Sequence, residues 1–388
     1  MNFKFPLATS SWDQKELDAL QRVITSDRFS MGEEVAEFEH RFALFFGSAY
    51  AVMVNSGSSA NLLMTAALFF TKNASLKCAP GDEIIVPAVS WSTTYYPLNQ
   101  YGFHLKFVDI DINTLNYDLA ALESAVSNKT RAIMAVNLLG NPNNFDVINR
   151  IIAGRNIVLI EDNCESMGAA FNGKQAGTFG VMGSYSCFFS HHISTMEGGM
   201  VVTDDEELYQ IMLVLRAHGW TRNLPKFNYV TGEKSDDAFE ESFRFVLPGY
   251  NLRPLEMSGA IGIEQLAKLP SLIEGRRVNG KLFQQRLTDH PKFIIQEETS
   301  ESSWFGFSLI IRPNIDLKRA DLVKKLMASG FECRPIVGGN FAKNEVMKYF
   351  NYSIYGELKN ADYIDQNGLF LGNHHYPISD AIEALVNI

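Results

Sequence analysis

Two adjacent histidines, His191 and His192, occupy a polar turn between two apolar runs of the sequence. The first run, Tyr185–Phe189, has the length of a strand, and the second covers Met200–Thr203. In α/β enzymes, ligands bind at the carboxyl ends of strands, and this turn follows such an end. Imidazole, whose unperturbed pKa is about 6.5, suits general base and acid catalysis. Histidines in turns are also common as structural or solvent-facing residues, so this pattern alone leaves both roles open.

A run of small residues, NSGSSAN at Asn55–Asn61, lies between a predicted strand and a predicted helix. Small side chains let backbone N–H groups approach an anion there, and the helix dipole favours negative charge at that end. The run contains neither the GKS/T of a Walker loop nor a GxGxxG motif. An anion-binding loop and an ordinary capped helix start are both compatible with it.

Further candidate residues follow two other predicted strands. Asp162 and Glu165 come at the end of the strand Val158–Glu161. A carboxylate in that place suits a metal ion, a ribose or a protonated ring nitrogen. Trp91 follows the strand Glu83–Val86 and is suited to stack on a planar ligand, although packing in the core explains an aromatic residue equally well.

The composition indicates a globular protein. The 388 residues are 46% hydrophobic and 20% charged, which suffices for a large core and suggests two domains. A net charge of −10 disfavours binding to nucleic acid or anionic membranes, which needs a basic face. The N-terminus lacks the apolar stretch of a signal peptide, and no run reaches the ~20 apolar residues of a membrane span. We therefore expect a cytoplasmic protein without nucleic-acid or membrane partners.

The cysteines do not form a recognisable ligand set. The four of them show no CxxC or Cys/His spacing and occupy Cys78, Cys164, Cys187 and Cys333. Such scattering disfavours a disulfide framework, a zinc site and an iron–sulfur cluster. We therefore expect no metal and no iron–sulfur cluster.

From about residue 50, short apolar runs alternate with helical stretches, which is typical of a largely parallel sheet with crossover helices. This pattern predicts an α/β fold with a large domain at residues 1–250, followed by connecting helices and a small α/β domain at residues 251–388. Two separate connecting helices are predicted, Pro254–Leu269 and Leu272–Leu287. Residues 214–251 are irregular but aromatic, which indicates a long functional loop rather than a linker.

Eight short motifs then occur in order: SGSSAN, GDEIIVP, VDID, EDNCESMGA, GTFG, SCFF, EGGMVVTD and GYNLRP. Each is modest, but the ordered set is specific. It resembles the sugar aminotransferase family of fold-type I pyridoxal-phosphate enzymes over nearly the whole chain. The resemblance implies a large, mostly parallel α/β/α sheet domain with a smaller C-terminal α/β domain. It also implies pyridoxal 5′-phosphate or pyridoxamine 5′-phosphate as the cofactor.

The resemblance implies roles for individual residues. Gly57, Ser58 and Ser186 match positions that hold the cofactor phosphate. Trp91 matches the aromatic residue stacked on the pyridine ring. Asp162 matches the carboxylate paired with the ring nitrogen, which it keeps protonated by favouring the charged form.

Other matched positions concern the neighbouring subunit and the substrate. Asn251 matches a residue that reaches the phosphate from the neighbouring subunit, which implies a homodimer with shared active sites. Glu165, also a cofactor-binding position, stands where many relatives have glutamine. Arginine binds phosphates and carboxylates through its bidentate fork. The candidates for contacts with the sugar, the nucleotide phosphates or the glutamate carboxylate are His218, Arg222, Arg253 and Arg334.

The sequence departs from the family at one position. Family aminotransferases carry a Schiff-base lysine seven residues before a Gly-Gly pair, and counting back from Gly198 gives His191. No lysine occurs between Lys174 and Lys226, so the cofactor must be held without a covalent bond. This combination resembles the branch of the family that removes the C3 hydroxyl group of GDP-4-keto-6-deoxy-D-mannose, in the colitose pathway of O-antigen and lipopolysaccharide biosynthesis.

For this chemistry we hypothesise that His191 takes a proton from the C4′ carbon of the cofactor and then assists departure of the C3 hydroxyl group. Each role would contribute ~10²–10⁴-fold. Ammonia is released, so L-glutamate must restore the amine form of the cofactor. A shift of one residue would give the role to His192. Two alternatives remain, a nucleotide-sugar 4-aminotransferase and an inactive homologue with a binding or regulatory role.

Overall fold

The computed structural model describes residues 3–388, which form helices around a large and a small β-sheet. The α-helices are α1 (Gln14–Ser26), α2 (Glu33–Phe46), α3 (Gly57–Phe70), α4 (Ser92–Gln100), α5 (Leu119–Ala125), α6 (Phe145–Ile152), α7 (Glu206–Arg216), α8 (Ala238–Ser242), α9 (Glu256–Leu287), α10 (Arg319–Ala328), α11 (Lys359–Asn367) and α12 (Ser379–Val386). Short 3₁₀ helices cover Leu138–Gly140, Phe341–Lys343 and Glu345–Tyr349.

The strands are β1 (Tyr50–Val54), β2 (Glu83–Pro87), β3 (His104–Val108), β4 (Thr130–Val136), β5 (Val158–Asp162), β6 (Ala170–Phe171), β7 (Lys174–Gln175), β8 (Met182–Ser186), β9 (Gly199–Thr203), β10 (Phe227–Asn228), β11 (Gly232–Glu233), β12 (Phe293–Ile294), β13 (Gly306–Ile311), β14 (Cys333–Arg334), β15 (Tyr352–Ile354) and β16 (Gly368–Gly372). The short pairs β6–β7 and β10–β11 form separate two-stranded hairpins.

Eight strands form the large sheet, in the order β1-β9-β8-β5-β4-β2-β3-β15. All pairs from β8 to β15 are parallel, whereas β9 is antiparallel to both β8 and β1. The strands β2, β5 and β8 are buried along their whole length, as expected for strands that are covered on both faces. The predicted α/β fold with a mostly parallel sheet is therefore confirmed.

Helices on both faces of the large sheet fix where the strands end. On one face, α3, α4 and α7 pack through residues such as Leu63, Leu98 and Met212. On the other face, α5 and α6 pack through residues such as Leu122 and Phe145. The carboxyl ends of β1, β2, β5 and β8 consequently meet at one edge, together with the first turns of α3 and α4.

The small sheet has the order β12-β13-β16-β14 and is antiparallel throughout. Its core contains Trp304 and Phe307, which pack with residues of α10 and α12. The chain crosses between the sheets in both directions. Phe5 forms a bridge with Phe331, and β15 returns to the large sheet, where it pairs with β3. No sequence pattern predicted this return.

Helix α9 is continuous, so the prediction of two separate helices is wrong. Pro270 lies on its exposed side, where proline removes one backbone hydrogen bond. The helix persists because Leu269 and Leu272, on either side of the proline, are buried in the same core. Among residues 3–388, no helix is both long and apolar enough to cross a membrane.

The strand before the two histidines was predicted at Tyr185–Phe189, and this boundary is wrong because β8 ends at Ser186. Cys187 N–H still donates to the Gly198 carbonyl at 2.9 Å. Phe188 leaves the sheet and is 41% exposed, since its ring borders a cavity. The apolar run therefore continues past the end of the strand because Phe188 lines a cavity, and not because it packs in the core.

Candidate active site

One cavity of about 300 Å³ lies at the carboxyl ends of β5 and β8, beside the first turn of α3. The sequence-predicted residues that border it are Gly57, Ser58, Trp91, Asp162, Glu165, Ser186, His191 and Arg334. A larger cleft of about 830 Å³ lies at the amino ends of β2, β3 and β4, and none of the predicted site residues borders it. The smaller cavity is therefore the candidate active site.

The first turn of α3 presents Gly57 and Ser58 to this cavity. Ser56 caps the helix, since its Oγ accepts the Ser59 N–H at 3.1 Å. The N–H groups of residues 57 and 58 have no intrahelical acceptor, which leaves them available to an anion. A Cβ atom on residue 57 would stand 2.7 Å from Ser186 Cβ, so the close approach of α3 to β8 requires glycine. With two serine hydroxyl groups, this cradle fits a phosphate group.

Asp162 ends β5 and is only 5% exposed. Its Oδ2 accepts hydrogen bonds from Asn61 Nδ2 and Thr94 Oγ1, both at 2.8 Å. Its Oδ1 accepts the Cys164 N–H at 3.2 Å. Ser184 Oγ donates to Asn61 Oδ1 at 2.7 Å, which fixes the orientation of that amide. Three donors thus hold the carboxyl group at the cavity wall, where it suits a protonated ring nitrogen.

Glu161 precedes Asp162 in the strand and therefore points to the opposite face of the sheet. Its carboxylate accepts the backbone N–H groups of Gly177, Phe179 and Gly180, and it closes the turn before β8. Burial raises the pKa of Glu161 despite these donors. Of these two consecutive acidic residues, Asp162 borders the cavity and Glu161 supports the backbone.

Glu165 borders the cavity, and its pKa is raised to about 7 because burial disfavours the charged form. The positive Arg334 and the Leu139 N–H, which donates to Glu165 Oε2 at 3.2 Å, act in the opposite direction. Glutamine in this place would be neutral at every pH. The acid instead gives the site a group that exchanges a proton near neutral pH.

His191 is half-buried at the cavity wall, where its ring contacts Phe188 and Phe305. Its Nδ1 is buried and has no hydrogen-bond partner among residues 3–388. Burial, together with the positive charges of Arg334 and Arg276, lowers the pKa of His191 to about 3. The imidazole is therefore neutral near pH 7 and able to accept a proton.

His192 occupies a different environment, although it follows His191 directly. It is 2% exposed and does not border the cavity. Its Nε2 lies 3.1 Å from the Ser303 carbonyl oxygen, which identifies Nε2 as the protonated nitrogen. Burial and the nearby Arg276 hold the pKa of His192 well below its usual range. The ring therefore fastens the turn to the segment that precedes β13.

Trp91 is 55% exposed beside the cavity, so packing in the core does not explain it. Sequence reasoning missed several residues that border the same cavity: Asn61, Ser90, Thr93, Cys164, Phe188, Ser190 and Glu197. Asn61 had a usable signal, because it lies one turn after Gly57 on the same face of a predicted helix. Thr94, which holds Asp162, had none.

The remaining predicted residues lie outside this cavity, in a group around Trp220. The guanidinium groups of Arg222 and Arg253 lie 4.2 and 5.7 Å from the centre of the Trp220 ring. Arg253 Nε donates to Asn251 Oδ1 at 3.1 Å, and the His218 ring lies 5.1 Å from the ring of Trp220. We call these five residues the Trp220 cluster. The chain thus carries two separate groups of candidate residues.

Metal ligands are not grouped in the part of the chain that the structure describes, residues 3–388. No set of three or more His, Cys, Asp and Glu side chains is arranged to hold a metal ion there, and the four cysteines are free. The polar groups at the cavity include serine hydroxyl groups, a helix N-terminus, carboxyl groups, an imidazole and a guanidinium group. This set suits a phosphorylated aromatic cofactor.

Comparisons with known proteins agree with this geometry. GDP-4-keto-6-deoxy-D-mannose 3-dehydratase of Yersinia pseudotuberculosis is 64% identical over 385 residues, which cover 99% of this chain and 98% of that protein. Two solved structures of GDP-4-keto-6-deoxymannose-3-dehydratase are 63% identical, with a TM-score of 0.97 and 99% of each chain covered. One is a histidine-to-asparagine mutant with bound GDP-perosamine, and the other contains a trapped PLP-glutamate geminal diamine.

The family profile extends over nearly the whole sequence. It begins before α1, at residue 10, and ends after α12, at residue 387. It therefore covers both sheets, the cavity and the Trp220 cluster. On this match the chain belongs to the DegT/DnrJ/EryC1/StrS aminotransferase family.

Proposed function

We propose that this chain is a pyridoxamine-phosphate-dependent 3-dehydratase. It removes the C3 hydroxyl group of GDP-4-keto-6-deoxy-D-mannose and gives GDP-4-keto-3,6-dideoxymannose, a step in deoxysugar biosynthesis for lipopolysaccharide. The observation that carries the proposal is His191, an imidazole at the cavity where the family pattern places a lysine. The 64% identity to the dehydratase of Yersinia pseudotuberculosis supports the same reaction.

The cavity fits pyridoxamine 5′-phosphate. The cradle of Gly57, Ser58 and Ser186 would hold its phosphate, Asp162 would hold its ring nitrogen, and Trp91 would cover its ring. When bound, this cofactor supplies an amine that condenses with the C4 ketone and a protonated ring that takes up electrons. The protein holds it by hydrogen bonds, charge and stacking alone.

His191 performs the proton transfers. We assign them to Nε2, because Nδ1 is buried. The neutral ring accepts a proton from the C4′ carbon of the cofactor, and the resulting imidazolium donates a proton to the C3 hydroxyl group, which leaves as water. Arg334 and Arg276 disfavour a positive charge on His191, so the imidazolium gives up its proton readily.

Loss of the hydroxyl group is a two-electron reduction of the sugar, and L-glutamate supplies the electrons when it becomes 2-oxoglutarate. Its nitrogen restores the amine form of the cofactor and leaves the cycle as ammonia. The cavity must therefore also accept a carboxylate. Arg334 borders the cavity, and its buried Nε has no hydrogen-bond partner among residues 3–388. A guanidinium group suits a carboxylate or a phosphate.

We further propose a homodimer in which the Trp220 cluster of each subunit completes the cavity of its partner. The cluster lies outside the cavity of its own chain. Beside it, residues 227–245 carry aromatic side chains that are each more than half exposed: Phe227, Tyr229, Phe239, Phe243 and Phe245. Exposed apolar patches of this kind are typical of protein–protein contacts. Arg222, Arg253 and Asn251 would then reach the phosphates of the cofactor and the GDP-sugar.

We also propose that the enzyme acts in the cytoplasm. The four cysteines of the described chain are unpaired, as is usual in a reducing compartment. Cell fractionation followed by an activity assay of the soluble and membrane fractions would test this location. Recovery of the activity from the membrane pellet would contradict it.

The mass of the product tests the proposed reaction. The protein is incubated with pyridoxal 5′-phosphate, L-glutamate and GDP-4-keto-6-deoxy-D-mannose. The mass of the sugar nucleotide is measured by mass spectrometry before and after the reaction. We expect a product lighter by one oxygen atom, with release of ammonia. A product with an amino group in place of the C4 ketone would identify an aminotransferase. An unchanged substrate, with cofactor bound, would favour a binding or regulatory role.

A further inference from the structure

Phe305 packs against both histidines of the active-site turn. Its ring centre lies 5.1 Å from that of His191 and 5.7 Å from that of His192. Phe188 contacts the His191 ring edge-on at 6.0 Å. Catalytic imidazoles are usually oriented by a hydrogen bond from the second ring nitrogen to a carboxylate or carbonyl group. In residues 3–388, His191 Nδ1 has no such partner, so aromatic packing must orient this ring.

The backbone of Phe305 is fixed on both sides. Its N–H donates to the Leu139 carbonyl at 3.1 Å. Its carbonyl accepts a hydrogen bond from Arg276 Nη1 at 3.0 Å, and the same nitrogen donates to the Asn373 carbonyl at 2.8 Å. Arg276 is 7% exposed, so a buried charge anchors this residue. A buried charge is costly without hydrogen bonds, so breaking the bond between Arg276 and the Phe305 carbonyl would be unfavourable. The backbone of Phe305 is therefore held in place.

The preceding residue, Trp304, has a left-handed backbone conformation, with φ of 47°. Such a conformation is strained in a non-glycine residue and persists only where the surrounding structure imposes it. Its effect is to send two consecutive rings into different cores. Trp304 packs with Phe307 in the small domain, whereas Phe305 packs into the core behind the cavity. Gly140 permits this turn, because a Cβ atom there would stand 2.5 Å from Trp304 N.

We propose that Phe305 is a positioning residue for His191, which holds the edge of the imidazole toward the cavity and keeps water from its Nδ1 side. The inference rests on the proposed function, since it assigns His191 the proton transfers. It deepens that function, because it names Phe305, which packs into the core behind the cavity, as the residue that orients the base.

The charged groups around His191 and its burial together determine how loss of the Phe305 ring would change the pKa of His191. Arg334 on β14 and Arg276 on α9 act on its charge, and His192 lies next to it. The carboxyl groups that border the same cavity are those of Asp162 at the end of β5, Glu165 after β5 and Glu197 before β9. Burial is the first cause of the lowered pKa of His191, ahead of the two arginines. A smaller side chain at position 305 admits water beside the imidazole, so the pKa of His191 rises toward its usual value.

Phe305→Leu tests the proposal, with Phe307→Leu as the matched control. Both remove a buried ring, from the residue before β13 and from its second residue, but Phe307 packs in the core of the small domain with Phe283. We expect Phe305→Leu to lower kcat about tenfold or more with little change in KM, because misplaced catalytic groups lose rate steeply. Phe307→Leu should leave both constants unchanged. Phe305→Tyr, which keeps the ring, should retain most of the activity.

A second readout follows the titration of His191 by NMR in histidine-labelled, cofactor-free protein. We expect its pKa to rise in Phe305→Leu and to stay at the wild-type value in Phe307→Leu. Equal kinetics and titration in Phe305→Leu and the wild type would overturn the proposal, as would equal losses in both leucine variants. The titration does not depend on the product formed. A shift in pKa with an amino sugar as the wild-type product would therefore refute the dehydratase function and leave the positioning role intact.

Discussion

Asn61 Nδ2 donates a hydrogen bond of 2.8 Å to Asp162 Oδ2, and thereby links the first turns of α3 to the end of β5. Both residues are buried, and Thr94 Oγ1 donates to the same oxygen at 2.8 Å. Asn61→Ala removes one of the two donors to Asp162 Oδ2, and a hydrogen bond to a carboxylate contributes about 1.5–3 kcal/mol. We expect pyridoxamine phosphate to bind roughly tenfold or more weakly, as measured by fluorescence titration.

The control for this prediction is Asn128→Ala, because Asn128 is exposed and far from the candidate active site, beside the cleft at the amino ends of the strands. It should bind the cofactor as the wild type does. Equal dissociation constants for Asn61→Ala and the wild type would show that the amide does not support Asp162 in the holoenzyme.

Glu165 should make the stability of the cofactor-free protein depend on pH. Its pKa is about 7 in the folded state, against an ordinary value of 4.5. Between these values the folded state binds more protons than the unfolded state, so stability falls as pH rises. Glu165→Gln removes this loss. The free energy of unfolding of the variant should therefore exceed that of the wild type by up to about 3 kcal/mol at pH 8, and by little at pH 5.

Urea unfolding at a series of pH values measures this difference. Glu123→Gln is the control, since Glu123 is exposed on α5, and its curve should follow that of the wild type. A gain for Glu165→Gln that stays the same from pH 5 to pH 8 would contradict the prediction, because a pH-independent gain cannot arise from a titrating carboxyl group.

The sheet was predictable because its strands are buried on both faces and read as continuous apolar runs. Helix α9 was not, because proline usually ends a helix, and only the common core under Leu269 and Leu272 carries the helix past Pro270. The return of β15 to the large sheet also escaped prediction. Pairing between residues as distant as Tyr352 and Leu105 is decided by tertiary packing.

The candidate site shows the same division. Gly57, Asp162 and Ser186 lie in motifs that follow or end strands, so their meeting at one edge of the sheet was predictable. Phe305 was not predictable as a neighbour of His191, because a single phenylalanine before a strand carries no signal of its contacts. Four members of the Trp220 cluster were predicted together with the cavity residues, yet the cluster lies outside the cavity of its own chain: His218, Arg222, Asn251 and Arg253.

The two histidines should respond differently to the same substitution. His191→Asn should lower kcat by about 10²–10⁴-fold with unchanged cofactor affinity, because it removes a proton-transfer group and leaves the phosphate cradle intact. His192→Asn should mainly lower the melting temperature, because it breaks the buried contact with the Ser303 carbonyl. Steady-state kinetics and thermal unfolding of both variants separate the effects. A larger loss of kcat in His192→Asn would transfer the role of base to His192.

Subunit mixing tests whether the Trp220 cluster serves the partner's cavity. His191→Asn and Asn251→Ala each impair the enzyme, but a mixed dimer would contain one cavity in which both residues are intact. Unfolding and refolding the two variants together should restore roughly a quarter of the wild-type activity, as random pairing predicts for a two-fold dimer. His191→Asn mixed with Asp162→Asn is the control without rescue, since both residues border the same cavity. Absence of rescue in the first mixture, with dimers present, would place Asn251 in the cavity of its own chain.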